Sequence, residues 1–453
     1  MSGVETAGTQ RAGTETGGTQ TAGLAQRERA LEAMTQLVSR DGYMDTTVAQ
    51  ITREAGLSRT SFYEHFSDKE ACFLAAHEEI AERLGAEVTQ AVGDGEPAQA
   101  LATSIVALSA FATREPAQFQ LVTHEALIAG TLLEGARPRE ARDRMIERIE
   151  LAIEEAQRAA PDATELVDLP VRLVLGGTIR LLGLSMRRVG GAPEPSLGAL
   201  SEWLSFYLVS PGQVRWQSLS SKISVAPAID VSNGPDRSQP AQNGLPAQNL
   251  GAVQRERILH ATADVVCAHG YLAMSVAEIC SSAGVSRDVF YSHFKDKRDA
   301  LLQTQRLVFE QLIAASAGAF FTVSTPWPER VWDAISAFIT WIVEQPTLAH
   351  FEFIGGYASG PADAIKLDEN ILGFLIFLEE GDNYDPQTPE VPRVAREAIA
   401  CAVVEVLGQY LRHYRSEEIP ALLPLFAYVI LAPFLGPGPA NDFIDRQLLA
   451  AGR

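Results

Sequence analysis

Cysteine is scarce in this chain, with four residues in 453: Cys72, Cys267, Cys280 and Cys401. No two of them have the pair spacing of a metal site, and so few scattered thiols suit a reducing cytoplasm better than a disulfide framework. The N-terminal tract has almost no bulky apolar residues, so it lacks the apolar centre of a secretory signal and export is not expected. A long unbroken apolar run is also missing. The uncharged stretch 419–441 is cut by prolines at 420, 424, 433, 437 and 439, which leaves about fifteen continuous apolar residues where a membrane span needs about 20. A phosphate-cradling glycine loop, a nucleophile elbow and a zinc-binding His-Glu signature do not occur. An enzyme is therefore not expected, nor a cofactor or a metal. Positive charge is short as well: the formal net charge is −20, a balance that by itself speaks against nucleic acid.

What is present is an internal repeat. Residues 27–74 recur as residues 255–302 at a constant offset of 228 without a gap, and 22 of the 48 positions are identical. A repeat of this kind is one structural unit used twice. In the first copy Leu31, Met34, Leu37 and Val38 recur at helical spacing, and Gly42, repeated as Gly270, ends that helix. Thr47 with Gln50, and Ser275 with Glu278, have the spacing of a capping box that opens a short second helix. That helix stops at Ala55-Gly56-Leu57. Ser58, repeated as Ser286, can then cap a third helix with Phe62 and Phe66 one turn apart on its buried face. Two short helices joined by a tight glycine turn make a helix-turn-helix, whose second helix enters the DNA major groove. With the phenylalanines inward, Arg59, Thr60, Ser61, Tyr63 and His65 lie on or beside the opposite face. Lys69 follows at the start of a fourth helix, with Ser67 and Glu70 at capping-box spacing.

The run AGLSRTSFYEHFSDKE, repeated as AGVSRDVFYSHFKDKR, resembles the signature of the TetR family of bacterial transcriptional regulators. The resemblance covers about fifty residues in each copy. It implies an all-α fold in two tandem modules, each a helix-turn-helix head followed by a helical ligand-binding and dimerisation body. On that plan residues 1–24 are a disordered tail, 25–75 the first head, 76–210 the first body, 211–252 a flexible linker, 253–303 the second head and 304–453 the second body. The linker, rich in Ser, Pro, Gln, Asn and Gly, spans about 35 Å on average. Helical segments are predicted at about 97–113, 117–129, 138–159, 165–188 and 196–209 in the first body. Those in the second are at about 327–344, 347–357, 361–380, 391–415 and 417–435. In the family the last two body helices pair with those of a second subunit. Gly176, Gly177 and Gly183 permit such a close approach, and ordinary packing within one module explains them equally well.

The resemblance also supplies site expectations. The DNA-facing residues are Thr47, Ser58, Arg59, Thr60, Ser61, Tyr63, His65 and Lys69 in the first head. In the second they are Ser275, Ser286, Arg287, Asp288, Val289, Tyr291, His293 and Lys297. The two arginines can reach a guanine edge or a phosphate from the start of the recognition helix, and the tyrosines and lysines resemble the family's phosphate contacts. The second copy departs from the first at Asp288 and Val289, which predicts a different base preference; Lys295 and Arg298 add compensating charge. The heads carry net charges of −2 (residues 26–74) and 0 (254–302), so weak non-specific DNA affinity is expected. For an unknown small-molecule effector the polar candidates are His124 and Glu125 in the first body, and His350 and Glu352 in the aromatic second body, with Trp341, Phe351 and Tyr357. The expected function is a DNA-binding transcriptional regulator, a repressor released by that effector. Its partners are an operator duplex and either a second copy or its own other module, with no membrane. The alternative is a scaffold in which one head no longer reads DNA.

Overall fold

The computed structural model of the chain describes residues 12–96, 99–127, 137–159, 165–166, 171–188, 208–209, 247–321, 324–356, 367, 369–384, 390–412 and 415–451. The first head consists of α1 (Ala12–Asp41), α2 (Val48–Glu54) and α3 (Arg59–His65), and α4 (Lys69–Asp94) leads from it into the first body. That body continues with α5 (Ala100–Arg114), α6 (Pro116–Gln120) running into a π-helical turn Leu121–Glu125, α7 (Arg137–Ala159) and α8 (Val171–Arg188). The second head repeats the plan with α9 (Ala247–Ala273), α10 (Val276–Ala283) and α11 (Arg287–His293), followed by α12 (Lys297–Phe321). The second body holds α13 (Trp327–Glu344), α14 (Pro346–Phe353), 3-10 turns at Phe374–Phe377 and Gly381–Asn383, α15 (Arg393–Arg412), α16 (Leu423–Leu435) and α17 (Pro437–Ala451).

The all-α reading of two tandem modules holds, and several boundaries are corrected. Helix α1 starts at Ala12, inside the stretch expected to be disordered, because a helix already nucleated at its apolar end extends at the gain of one hydrogen bond per residue. Glu165–Leu166 and Leu208–Val209 are not helical but pair as a two-residue antiparallel ladder. Pro161, Pro170 and Pro211 stand near them in sequence, and proline favours extended backbone in the residue before it. Of the segment near 361–380, residues 369–373 are helical and run into a 3-10 turn, Phe374–Phe377, and the stretch 416–435 is a 3-10 turn, Ser416–Leu422, followed by α16. Pro420 and Pro424 remove the amide donors a continuous α-helix would need there. The last helix, α17, was not foreseen. The linker expected at 211–252 lies outside the described residues up to 246, and α9 begins within its final residues.

Residues 416–435 are long and apolar enough to cross a membrane, yet 67% of the window is buried inside the protein. Tyr428, Phe426 and Phe434 are in the core, so protein rather than lipid covers this stretch. One apolar core runs from the first head through both bodies. The second head keeps a separate core, to which α14 contributes Leu348 and Phe351.

The modules meet along α8 and α15, one of the two most extensive helix pairings among the described residues. A Cβ on Gly177 would stand 2.8 Å from the Cβ of Ala402, and one on Gly176 would collide with the Cγ of Glu405. The two glycines therefore serve contact between modules, not packing within one. Around this crossing lies a buried charge cluster. Arg142 of α7, fully buried, donates to Glu405 of α15 at 2.7 Å, and Arg180 of α8 approaches the same carboxylate at 3.5 Å. Arg412 lies 3.7 Å from Asp143. Burial alone would raise the Glu405 carboxyl, but Arg142, Arg412 and Arg180 outweigh it and hold it down to about 2.

Candidate nucleic-acid interface

The same local devices shape both heads. The Thr47 hydroxyl accepts from the Gln50 amide at 3.3 Å while the Gln50 side chain accepts from the Thr47 N–H at 2.8 Å. Ser275 and Glu278 repeat this box at 3.3 and 2.8 Å. Gly56 and Gly284 both take φ 62°, the left-handed turn that a side chain resists. Ser58 and Ser286 then accept from the amides of Ser61 and Val289, at 3.0 and 3.3 Å, and start α3 and α11. Phe62 with Phe66, and Phe290 with Phe294, are buried with ring centroids 5.5 Å apart in each head. These anchors fix which face of the helix points out. Arg59, Thr60 and Tyr63 are exposed and Ser61 and His65 half-buried; Arg287, Asp288 and Tyr291 are exposed and Val289 and His293 half-buried.

Tyr63 and Tyr291 are 54% and 56% exposed, unusual for rings next to a core and suited to a partner surface. His65 and His293 instead lean on α1 and α9, each 3.8 Å from where a Cβ on Gly23 or Gly251 would stand. The lysines are engaged within their own heads. Lys69 donates to the Tyr43 carbonyl at 2.9 Å and sits 4.1 Å above that ring. Lys297 donates to the carbonyls of Tyr271 and Met274 at 3.1 and 2.9 Å. Burial lowers the pKa of Lys69. Each ammonium thus ties the loop after the first helix to the start of the fourth.

The capping of that fourth helix is a correction. The cap is Asp68, whose carboxylate accepts from the Ala71 amide at 2.7 Å, not Ser67 with Glu70; Asp296 does the same for Asp299 at 2.9 Å. A carboxylate is a stronger acceptor at a helix N-terminus than a hydroxyl. The signal was in the repeat, which keeps Asp at both positions and replaces Ser67 by Lys295.

The ligand candidates are not brought together. His124 and Glu125 are buried in the π-helical turn of the first body, where the Glu125 carboxylate accepts from the Tyr43 amide at 3.3 Å and joins body to head. Phe351 belongs to the core of the second head, and Trp341 packs against it. His350 is half-buried, and its pKa falls to about 4 through desolvation and the nearby Arg139. Glu352 lines a small recess with Asn370 in the second body. Tyr357 lies outside the described residues.

The pattern described as "Bacterial regulatory proteins, tetR family" matches the chain twice, at residues 30–76 and 258–304. The HTH-type transcriptional regulator BetI of Brucella anthropi is 29% identical over 84 residues, 18% of this chain and 43% of BetI. The nucleoid occlusion factor SlmA of Aliivibrio fischeri is 27% identical over 135 residues, 29% of this chain and 67% of SlmA. The HTH-type transcriptional activator FasR of Mycolicibacterium smegmatis is 26% identical over 156 residues, 34% of this chain and 59% of FasR. The chain thus spans less than half the length of BetI and more than half of the other two. The two matches to the family pattern lie on two heads built alike down to their caps and buried phenylalanines, so the chain carries two TetR-like helix-turn-helix heads in tandem.

Proposed function

We propose that the chain represses transcription by binding one operator as an intramolecular pseudo-dimer, its two heads reading half-sites about one helical turn, some 34–36 Å, apart. The observation that carries this reading is the α8–α15 crossing, where Gly176 and Gly177 meet Glu405 and Ala402 and the buried Arg142–Glu405 pair joins the modules. In the family that surface pairs two subunits; here the chain supplies both sides. Arg59 and Arg287 lead the two recognition helices, with Tyr63 and Tyr291 toward phosphates. Lys69 and Lys297 set the angle of each head and reach the backbone only after turning from their carbonyls. Because Asp288 and Val289 replace Thr60 and Ser61, the operator is an imperfect palindrome. Asp288 suits a cytosine amino group and Val289 a thymine methyl.

Release is assigned to an effector in the second body. Helix α12 starts at Lys297 under the second head and reaches Ser316 in the body, about 28 Å along its axis, so a displacement at one end is felt at the other. The protein then works in the cytoplasm, at the nucleoid when bound to DNA. Footprinting on DNA flanking the gene, with light scattering of the complex, tests the proposal. One chain on one operator-length site supports it. Two chains on a site twice as long would mean that modules pair between chains, and no protection at any salt would leave the scaffold reading.

A further inference from the structure

The second body contains a chamber that the DNA-reading heads do not explain. Helices α12, α13, α15 and α16 and the turn at 374–378 surround a chamber with about 80 Å³ of room for the centre of a water-sized sphere. Of its sixteen lining residues only Ser316 carries a polar side-chain atom; the rest, Phe338, Phe374 and Phe426 among them, are hydrocarbon. Protein interiors are close-packed, and a void several times larger than one that holds a single water, lined almost wholly by apolar side chains, stays dry and can accept hydrocarbon. No charged group lines it, and an ion moved into such a lining without a counter-charge loses its hydration for nothing.

A second space adjoins the first. Ile371, Phe374 and Val404 line both, and the smaller one ends at Glu352 and Asn370. Glu352 is 6% exposed, and its Oε2 has no hydrogen-bond partner. Burial pushes its pKa up to about 8, against the opposing pull of a hydrogen bond with Asn370, so at neutral pH it is a carboxylic acid with a proton to donate. The chamber therefore has an apolar body and, at one end, an uncharged pair of groups able to donate and accept.

We propose that this chamber binds an uncharged single-chain amphiphile, with its hydrocarbon among Phe338, Phe374 and Phe426 and a hydroxyl or amide head at Glu352 and Asn370. The proposal rests on the regulator reading and names the chemistry of its effector. The same helices give it an outlet. Ile399, Ala400, Val403 and Val404 of α15 line the chamber, while Ala402 and Glu405 of that helix face α8 of the first module. Ser316 lines it from the helix that begins under the second head. An occupant thus presses on the joint between the modules and on the support of one head together.

The test is calorimetric titration of the full chain with primary n-alkanols from six to twelve carbons and with the matching n-alkanoates at pH 7.0. Alkanol affinity should rise roughly fourfold per added methylene until the chamber is full. Each alkanoate should bind at least tenfold more weakly than its alcohol. Ala334→Phe, which fills the chamber, should lower alkanol affinity at least tenfold. Glu352→Leu should do so through the head alone, and Glu352→Gln should restore binding to within about threefold, with melting curves checking that each variant folds. No saturable alkanol binding, alkanoate binding as tight as alkanol, or undiminished binding by Ala334→Phe would overturn the proposal. Titration in the presence of operator separates the two readings. Binding of alkanol that leaves the footprint unchanged upholds the site and defeats the regulatory role, whereas a footprint made by a chain that binds no alkanol defeats the site and leaves the DNA-binding reading standing.

Discussion

The two heads and the two bodies of this chain have diverged to very different degrees. Between the heads each structural device is kept: the capping box, the left-handed glycine, the serine cap, the stacked phenylalanines and the lysine on its carbonyl. Between the bodies only the order of helices is shared. The first contributes Arg142, Arg180 and Asp143 to a charge cluster at the joint, while the second contributes Glu405 and Arg412 and encloses an apolar chamber. A head must place one short helix against a duplex of fixed dimensions, so its caps, glycine turn and phenylalanine pair are kept, while outward positions such as 60 and 288 and buried ones such as 34 and 262 change. A body need only bury an apolar face and meet its neighbour, and once both neighbours lie in one chain they are free to become complementary rather than alike.

The largest way to break that complementarity is Glu405→Ala. Arg142 would remain buried without its carboxylate, and losing one partner of a buried pair costs about 3–5 kcal/mol, read as a lowered denaturant midpoint. The pH dependence has a definite sign. The folded pKa, about 2, is below the ordinary 4.5, so the contribution is complete above pH 4.5 and is lost as pH falls from there toward 2. Glu352 carries the opposite sign. Its folded pKa is raised to about 8, so the folded state holds a proton that the unfolded chain gives up above pH 4.5, and stability falls between pH 4.5 and 8. Glu352→Gln should match the wild type below pH 4.5 and exceed it by up to about a few kcal/mol above pH 8. A melting-temperature gap that stays flat from pH 4.5 to 8 would refute it.

The heads are compared through their DNA contacts. Arg59→Ala and Arg287→Ala should each weaken operator binding by about 1–3 kcal/mol, measured by titration at fixed salt, and each should relax base preference in a different half-site. Equal relaxation in both half-sites would mean that the heads are not distinguished by the operator. No change with Arg287→Ala alone would show that the second head has stopped reading DNA.

The sequence made the heads legible almost residue by residue, because a capping box, a glycine turn and a one-turn phenylalanine pair are local patterns with local causes. Helix α13 was placed at its observed ends for the same reason, with Pro326 before it and Pro346 after. What was not legible depends on distant partners. Glu405 sits among valines and leucines, a carboxylate on an apolar stretch of its helix that calls for a cation, but nothing local points to Arg142, which is 263 residues away in a helix crowded with other arginines. The chamber was missed because its walls come from four helices and no single stretch shows a gap. The aromatic residues chosen instead, Trp341 and Phe351, stand on core faces. Glu352 was singled out from its apolar neighbours alone, and its orphaned oxygen became visible only with the fold.

The smallest effect offers the sharpest comparison, since it asks whether the heads are equal in energy as well as in geometry. In both capping boxes the hydroxyl accepts at 3.3 Å and the N3 side chain accepts at 2.8 Å. The N3 residue is neutral Gln50 in one head and Glu278 in the other, and bonds from the Ser275 hydroxyl and amide lower the Glu278 pKa. An anionic acceptor at a helix N-terminus gains from the charge-assisted bond and from the helix dipole. Thr47→Ala and Ser275→Ala should each cost about 1 kcal/mol, with the second cost larger near neutral pH. Acidification below the ordinary carboxylate range should protonate Glu278 and bring the two costs together, whereas Gln50 has nothing to titrate. Hydrogen exchange of the α2 and α10 amides, followed across pH in each variant, reads the difference head by head. A cost for Ser275→Ala that does not change with pH would mean that the carboxylate adds nothing a carboxamide does not.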